Sequence, residues 1–179
     1  MVDRIILEAP RTIATLGSHS ALQILKGAKD EGFETLLICE EKRLGLYRRF
    51  KFIDEILPIK QHNQAFEKKS LQHLHDAKSV IIPHGTMVAY FTYSEIEKIS
   101  IPIFGNRKIL QWESDRNLKQ KLMNASQLIT PKSIQGKDEI RNLCIVKLHG
   151  AAGGRGYFLA WNKESFEENV QVLMNQGRI

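Results

Sequence analysis

Between residues 12 and 105, short apolar runs alternate with segments of helical spacing, and that alternation leaves few folds open. Strand-like runs lie over 12–17, 34–40, 54–59, 79–83 and 101–105. Helical spacing covers 18–32, where Leu22, Ile24, Leu25 and Ala28 share a face, a serine can cap the start and Gly32 follows the end. It returns over 64–76 through Phe66, Leu71 and Leu74, with shorter helices over 85–91 and 94–99. Strands alternating with helices require right-handed crossovers and a parallel sheet. Residues 1–105 are therefore expected to form one open α/β domain.

After Gly105 the pattern changes. A charged helix over 113–126, which Ser114 can cap, precedes an extended stretch over 127–134 and one helical turn over 137–142. A strand over 143–148, a glycine-rich segment, a strand over 157–161 and a helix over 163–174 complete the chain. Two consecutive strands joined by a loop make a β-hairpin, so 106–179 is expected to begin a second, α+β domain.

The chain has 179 residues, is 42% hydrophobic and carries a net charge of +6, which suits a packed core and anionic ligands such as nucleotides. The charge is not gathered into a tract. Its densest cluster, YRRFK at 47–51, is short, is followed by acidic residues and reads as a solvated face. No paired aromatic platform stands in a basic sheet, so nucleic acid is not an expected partner. Cys39 and Cys144 have no metal-type spacing and read as buried free thiols of a reducing cytoplasm. No apolar run approaches the ~18 residues of a membrane span, and no secretory pattern opens the chain. A cytoplasmic protein with no membrane partner is the expectation. His62, His73 and His75 read as surface residues, and no His, Asp or Glu set has metal-ligand spacing.

The segment KLHGAAGGRGYFLAW at 147–161 holds Gly150, Gly153, Gly154 and Gly156. It fits neither the P-loop nor the dinucleotide fingerprint, and a β-prone run rather than a helix follows it. A glycine-rich hairpin tip lets backbone N–H groups approach phosphate oxygens, and Arg155 can add a charge-assisted contact. Alternation places Ile145, Lys147 and His149 on one strand face, opposite Cys144, Val146 and Leu148. Lys147 is expected half-buried and aimed at a ligand; the alternative is a flexible hairpin with a solvent-facing lysine.

Two corners share a design. TLGSHSAL and IIPHGTMV each run from an apolar strand through a small-residue turn with a histidine into a helix start. Helix N-termini attract phosphate. Ser18, Ser20 and Thr86 supply hydroxyls, while Gly17 and Gly85 permit close approach. In a doubly wound sheet of order 3-2-1-4 these corners follow neighbouring strands at the switch point, where ligands bind. His19 and His84 are expected to face one crevice.

Together the blocks at 12–33, 47–57, 81–91, 101–116 and 147–160 resemble the archaeal formate-dependent purine-biosynthesis ligases, the 5-formaminoimidazole-4-carboxamide ribonucleotide synthetases of the ATP-grasp superfamily. The resemblance implies a Rossmann-like pre-ATP-grasp parallel-sheet domain followed by the first, incomplete α+β lobe of an ATP-grasp domain. It implies that ATP converts formate to formyl phosphate, and that the 5-amino group of aminoimidazole carboxamide ribonucleotide (AICAR) attacks it to give the formamido product. Formate, AICAR and ATP are thus the implied ligands.

By this resemblance Ser18, His19, Ser20, His84, Gly85 and Thr86 are expected to bind the ribonucleotide, Thr86 standing where the family has serine. Lys121 and Lys147 are the expected ATP-phosphate lysines, with Lys119 an alternative to the first. Gly150, Gly153, Gly154, Arg155, Gly156 and Tyr157 belong to the expected ATP lid, and Lys147 and Arg155 are the expected catalytic residues. Ala152 occupies a place where the family pattern has lysine, which removes one phosphate contact. Mg²⁺ is an implied cofactor whose carboxylate ligands are expected beyond this chain. The chain itself is expected to be the amino-terminal part of a longer enzyme, inactive alone, with exposed apolar surface; self-association is an open expectation for the longer form. Another carboxylate–amine ligase of the superfamily, or a non-catalytic nucleotide-binding module, remain the alternatives.

Overall fold

The computed structural model of the chain describes residues 11–148 and 157–179. They fall into two compact units that divide between Ala125 and Ser126. In the first, strands β1 (Thr12–Leu16), β2 (Glu34–Glu40), β3 (Glu55–Ile59) and β4 (Ser79–Ile81) pair in parallel in the order β3-β2-β1-β4. β2 lies inside the sheet and is apolar at consecutive positions because both its faces are covered. Leu36 and Ile38 join Ala14, Leu16, Leu74 and Met87 on one side. Leu37 and Cys39 pack with Ala21, Leu25 and Tyr47 on the other. Helix α1 (Ala21–Asp30) supplies the apolar stripe expected of it, and the short helix α2 (Leu44–Tyr47), which the sequence pattern does not reveal, adds Tyr47. Helices α3 (Lys68–Asp76), α4 (Gly85–Tyr90) and α5 (Tyr93–Glu97) follow.

Two expectations need correction in this unit. The run at 101–105 makes no strand, only a bridge from Ile103 to Ile81. Pro102 has no N–H for a ladder, and Gly105 turns the chain at a φ of +85°, a conformation that favours glycine. The helix expected over 113–126 is two helices, α6 (Arg107–Ser114) and α7 (Arg116–Ala125). The break lies at Asp115, whose extended backbone ends α6 and whose carboxylate accepts from the N–H groups of Asn117 and Leu118 at 2.7 and 3.1 Å. Asp115 is thus the cap of α7. Ser114 instead donates its hydroxyl back to the Gln111 carbonyl. Leu110 of α6 is buried in the core beside Met87 and Ile96, which keeps α6 in the first unit although the composition changes at Gly105.

The second unit is an antiparallel hairpin, β5 (Cys144–Lys147) and β6 (Tyr157–Ala160), with helix α8 (Lys163–Asn175) on one face. Phe158, Ala160 and Leu173 form its core with Ile140, and Cys144, Val146 and Leu148 point into it. Cys144 is half-buried and Cys39 fully buried, both as free thiols. A reciprocal cap begins α8: Ser165 N–H donates to Asn162 Oδ1 at 2.8 Å, and Asn162 N–H to Ser165 Oγ at 3.2 Å.

Arg107 ties the first unit's later elements together. Its guanidinium donates to the carbonyls of Ile99 at 2.7 Å and Ile101 at 2.6 Å, with longer contacts to Ile96 and Glu97. Replacing it by alanine leaves those carbonyls unpaired beneath α6. Arg107→Ala should lower the unfolding free energy by about 1.5–3 kcal/mol in urea titration; an unchanged midpoint would show that the bonds contribute nothing net.

Candidate functional site

At the carboxyl end of the sheet, the turns that follow β1 and β4 meet. The ladder between these strands continues past β4, with Ile82 N–H donating to the Ala14 carbonyl at 2.9 Å and Thr15 Oγ1 donating to the Ile82 carbonyl at 2.9 Å. His84 then reaches back: its Nε2 donates to the Leu16 carbonyl at 2.9 Å. That bond sets the tautomer, so Nδ1 is an acceptor. It receives the Thr86 N–H at 3.2 Å, which caps α4, and faces the Ser18 hydroxyl at 3.4 Å. Ser18 Oγ in turn lies 3.4 Å from the Ser20 N–H. The two histidine corners therefore touch, but they differ in what they present to solvent. Ser18 and His84 use their polar atoms inside the fold. His19 is exposed, Ser20 half-exposed, and Thr86 buried at the start of α4.

Electrostatics agree with the bonding. Burial pushes the His84 imidazole below its ordinary value; the Leu16 carbonyl opposes that shift and the nearby His19 adds to it. His84 is thus neutral at physiological pH. A second proton would place an N–H against the Thr86 N–H.

The β1 turn is held from the far side by α2. Tyr47, almost wholly buried, donates its hydroxyl to the Ser18 carbonyl at 3.0 Å, and one turn earlier Arg43 Nη1 donates to the Gly17 carbonyl at 3.5 Å. A Cβ on Gly17 would meet Cys39 Cβ, the Ile38 carbonyl and Tyr47 Cε2, each at 3.3 Å. The bare backbone at 17 thus serves packing against β2 and α2. Gly85, by contrast, has open space around it.

Another group lines the same end of the sheet. Glu40, the last residue of β2, pairs with Lys42 Nζ at 2.9 Å and more distantly with Arg43 Nε at 4.0 Å, and His62 Nδ1 stands 3.2 Å from its other oxygen. Burial works to raise the Glu40 carboxyl, but Lys42, His62 and Arg43 together hold it below its ordinary value. His62 is 7% exposed and stacks on Tyr90 of α4 with ring centroids 3.8 Å apart. It is a buried residue, not the surface residue expected from its polar neighbours; burial lowers its pKa against the pull of Glu40. His73 and His75 lie toward the surface as expected. Arg43, Tyr47 and Glu40 escape a sequence reading because α2 is too short to show periodicity. The charged run just beyond β2 is the signal that could have marked them.

The remaining expected residues lie elsewhere. Lys121 is exposed on α7, while Lys119 is paired with Glu113 at 2.7 Å. Lys147 and Tyr157 sit opposite each other on the hairpin, and both are exposed. Lys147 shares its face with Ile145 as alternation requires, yet that face is open, so the expected half-burial does not occur. Gly150, Gly153, Gly154, Arg155 and Gly156, with His149, lie outside the described residues. Among the described residues no three His, Cys, Asp or Glu side chains are gathered as a metal site. The described residues therefore do not fit a magnesium ion. Among the described residues no helix is long and apolar enough to cross a membrane.

Comparison with known proteins places these features. The family described as "Protein of unknown function (DUF1246)" matches residues 13–134. The 5-formaminoimidazole-4-carboxamide-1-(beta)-D-ribofuranosyl 5'-monophosphate synthetase of Nitrosopumilus maritimus is 49% identical over 168 residues, which are 94% of this chain and 49% of that protein. The chain spans about half the length of the curated relatives it matches. The structure of the IMP biosynthesis protein PurP from Thermococcus kodakaraensis, 30% identical, superposes with a TM-score of 0.61 over 73% of this chain and 42% of that one. The N5-carboxyaminoimidazole synthetase from Staphylococcus aureus complexed with ADP is 13% identical, with a TM-score of 0.61 over 92% of this chain and 44% of that one, and shares the fold. The fold class is mixed α/β with a parallel sheet, shared with these structures.

Two outcomes test this geometry. Tyr47→Phe removes one buried hydrogen bond and no volume, so it should cost about 0.5–1.5 kcal/mol of stability in urea titration. No change would mean that the Ser18 carbonyl finds water instead. The depressed His84 pKa gives a stability contribution that is complete above the ordinary imidazole value of about 6.5 and is lost as pH falls through it. His62 acts with the same sign. Unfolding free energy should therefore fall as pH drops below about 6.5, and His84→Gln should flatten part of that slope. An identical slope in the variant would contradict the neutral assignment.

Proposed function

The chain belongs to the family described as "Protein of unknown function (DUF1246)", and on that premise we propose that it is the amino-terminal part of an ATP- and formate-dependent ligase that formylates AICAR. Residues 1–105 bind the ribonucleotide, and 106–179 begin the ATP-grasp domain, with α6 and α7 serving the nucleotide part although they pack on the first unit. The observation that carries this reading is the 3.4 Å contact between Ser18 Oγ and His84 Nδ1, which brings both turns to one crevice. The names of the relatives, a formaminoimidazole carboxamide ribonucleotide synthetase among them, support the substrate.

In the reaction a formate oxygen attacks the γ-phosphorus of ATP, and ADP leaves. The AICAR 5-amino nitrogen then attacks the formyl carbon, inorganic phosphate leaves, and the nitrogen loses a proton. Little of this is covalent work for the protein, so binding, alignment and electrostatics dominate. His19, Ser20 and Thr86 offer donors to the ribonucleotide, while Ser18 and His84 hold their turns in place. Lys147, with Arg155 and the glycine lid, would meet the ATP phosphates; Lys121 is the second phosphate lysine. Gly85 gives a ligand room at the β4 corner. Mg²⁺, held by carboxylates beyond this chain, would supply neutralisation of phosphate charge. The cytoplasm is the compartment we assign.

Calorimetry on this chain should show AICAR binding, and His19→Ala should weaken it about 10-fold, the effect of losing one charge-assisted contact. In a protein that includes both halves, the formamido product should form with formate and ATP and not with acetate. Turnover of acetate alone would reassign the acid substrate.

A further inference from the structure

We propose that Arg43 supplies the permanent positive charge that holds the 5'-phosphate of the ribonucleotide above the β1 turn, an inference that rests on the ribonucleotide reading. A phosphate monoester carries about −1.5 to −2 charges at pH 7. The donors gathered by the two corners do not balance that. Ser18, Ser20 and Thr86 are neutral hydroxyl groups, His84 donates to Leu16 and accepts from Thr86 as a neutral ring, and the exposed His19 leaves the corners one further donor, not enough for a dianion. The residue that brings a guanidinium to this turn is Arg43, whose Nη1 lies 3.5 Å from the Gly17 carbonyl, one residue before Ser18.

The groups around Arg43 leave its charge available. Glu40 is the nearby carboxylate, and other groups stand closer to it: Lys42 Nζ sits 2.9 Å and His62 Nδ1 3.2 Å from its oxygens, while Arg43 Nε is 4.0 Å away. Lys42 balances Glu40 more closely than Arg43 does. The Arg43 side chain is 41% exposed, so solvent reaches it. Tyr47, whose hydroxyl holds the Ser18 carbonyl, interacts with it. A guanidinium has five N–H donors in a planar fork matched to phosphate oxygens, and the long bond to Gly17 uses one of them. Held against the turn and open outward, Arg43 has the geometry of an anion ligand.

The alternative is that Arg43 only braces the turn through Gly17. Calorimetry with AICAR and with its nucleoside separates the two roles. Arg43→Ala should weaken the ribonucleotide about 10- to 100-fold and leave the nucleoside within about 2-fold. Arg43→Lys should fall between, because it keeps the charge and loses the fork. Arg49→Ala, which removes the same charge from an exposed position, should change neither ligand. A bracing role predicts equal losses for both ligands and overturns the proposal, as does no loss at all. The Arg43 Nε–H resonance of the isotope-labelled wild-type chain gives a second reading that needs no variant and no measurable nucleoside affinity. It should move on adding AICAR and stay on adding nucleoside; a resonance unmoved by AICAR overturns the proposal. If the wild-type chain binds no AICAR, the ribonucleotide reading itself falls, a result distinct from binding that ignores Arg43.

Discussion

The hydrogen bond from His84 Nε2 to the Leu16 carbonyl joins the ends of two neighbouring parallel strands at the point where the sheet changes direction. Everything at the carboxyl edge depends on it. It extends the β1–β4 ladder past its last backbone pair and fixes the imidazole tautomer. It turns Nδ1 toward Thr86 and Ser18 as an acceptor. A neutral ring is required, and burial keeps it neutral. Without that bond the two turns would be separate loops, each free to settle where its own sequence allowed. With it, the turn that carries the exposed His19 is held beside the start of α4.

Much of this arrangement was legible in the residues, for physical reasons that can be named. β2 is apolar at successive positions because it is covered on both faces, so strands alternating with helices pointed to a parallel sheet. The order β3-β2-β1-β4 then set the corners side by side. What was not legible depended on single contacts. The run at 101–105 looks like a strand, but its pairing is limited to the bridge of Ile103 with Ile81, and Gly105 turns the chain just beyond it. Asp115 breaks one long helix pattern into two because its carboxylate caps the second. His62 sits among polar neighbours in the chain, yet Glu40 and Tyr90, distant in sequence, enclose it. Gly17 looks like a residue kept bare for a ligand, and its actual neighbours are Cys39, Ile38 and Tyr47.

The second unit follows a different logic. Its hairpin buries one face on α8 and leaves Ile145, Leu159, Tyr157 and Lys147 outward, with Ile145 61% and Leu159 43% exposed. An apolar face crossed by one lysine differs from the first unit's crevice, which is built from hydroxyls, imidazoles and a guanidinium. On the proposed function the two surfaces serve different ligands, a sugar phosphate and a nucleoside triphosphate. The exposed position of Lys147, together with its place before the glycine-rich segment, keeps it accessible to an anion without the cost of desolvating an unpaired ammonium.

A single ligand bridging the β1 and β4 turns is most directly seen by mapping amide resonances of the isotope-labelled chain during titration with AICAR. Shared occupancy requires that residues 18–20 and 84–86 shift together, with one saturation curve, while the hairpin residues 144–147 and 157–160 stay still. Shifts confined to one turn, or strongest on the hairpin, would contradict a crevice built on the His84–Leu16 bond.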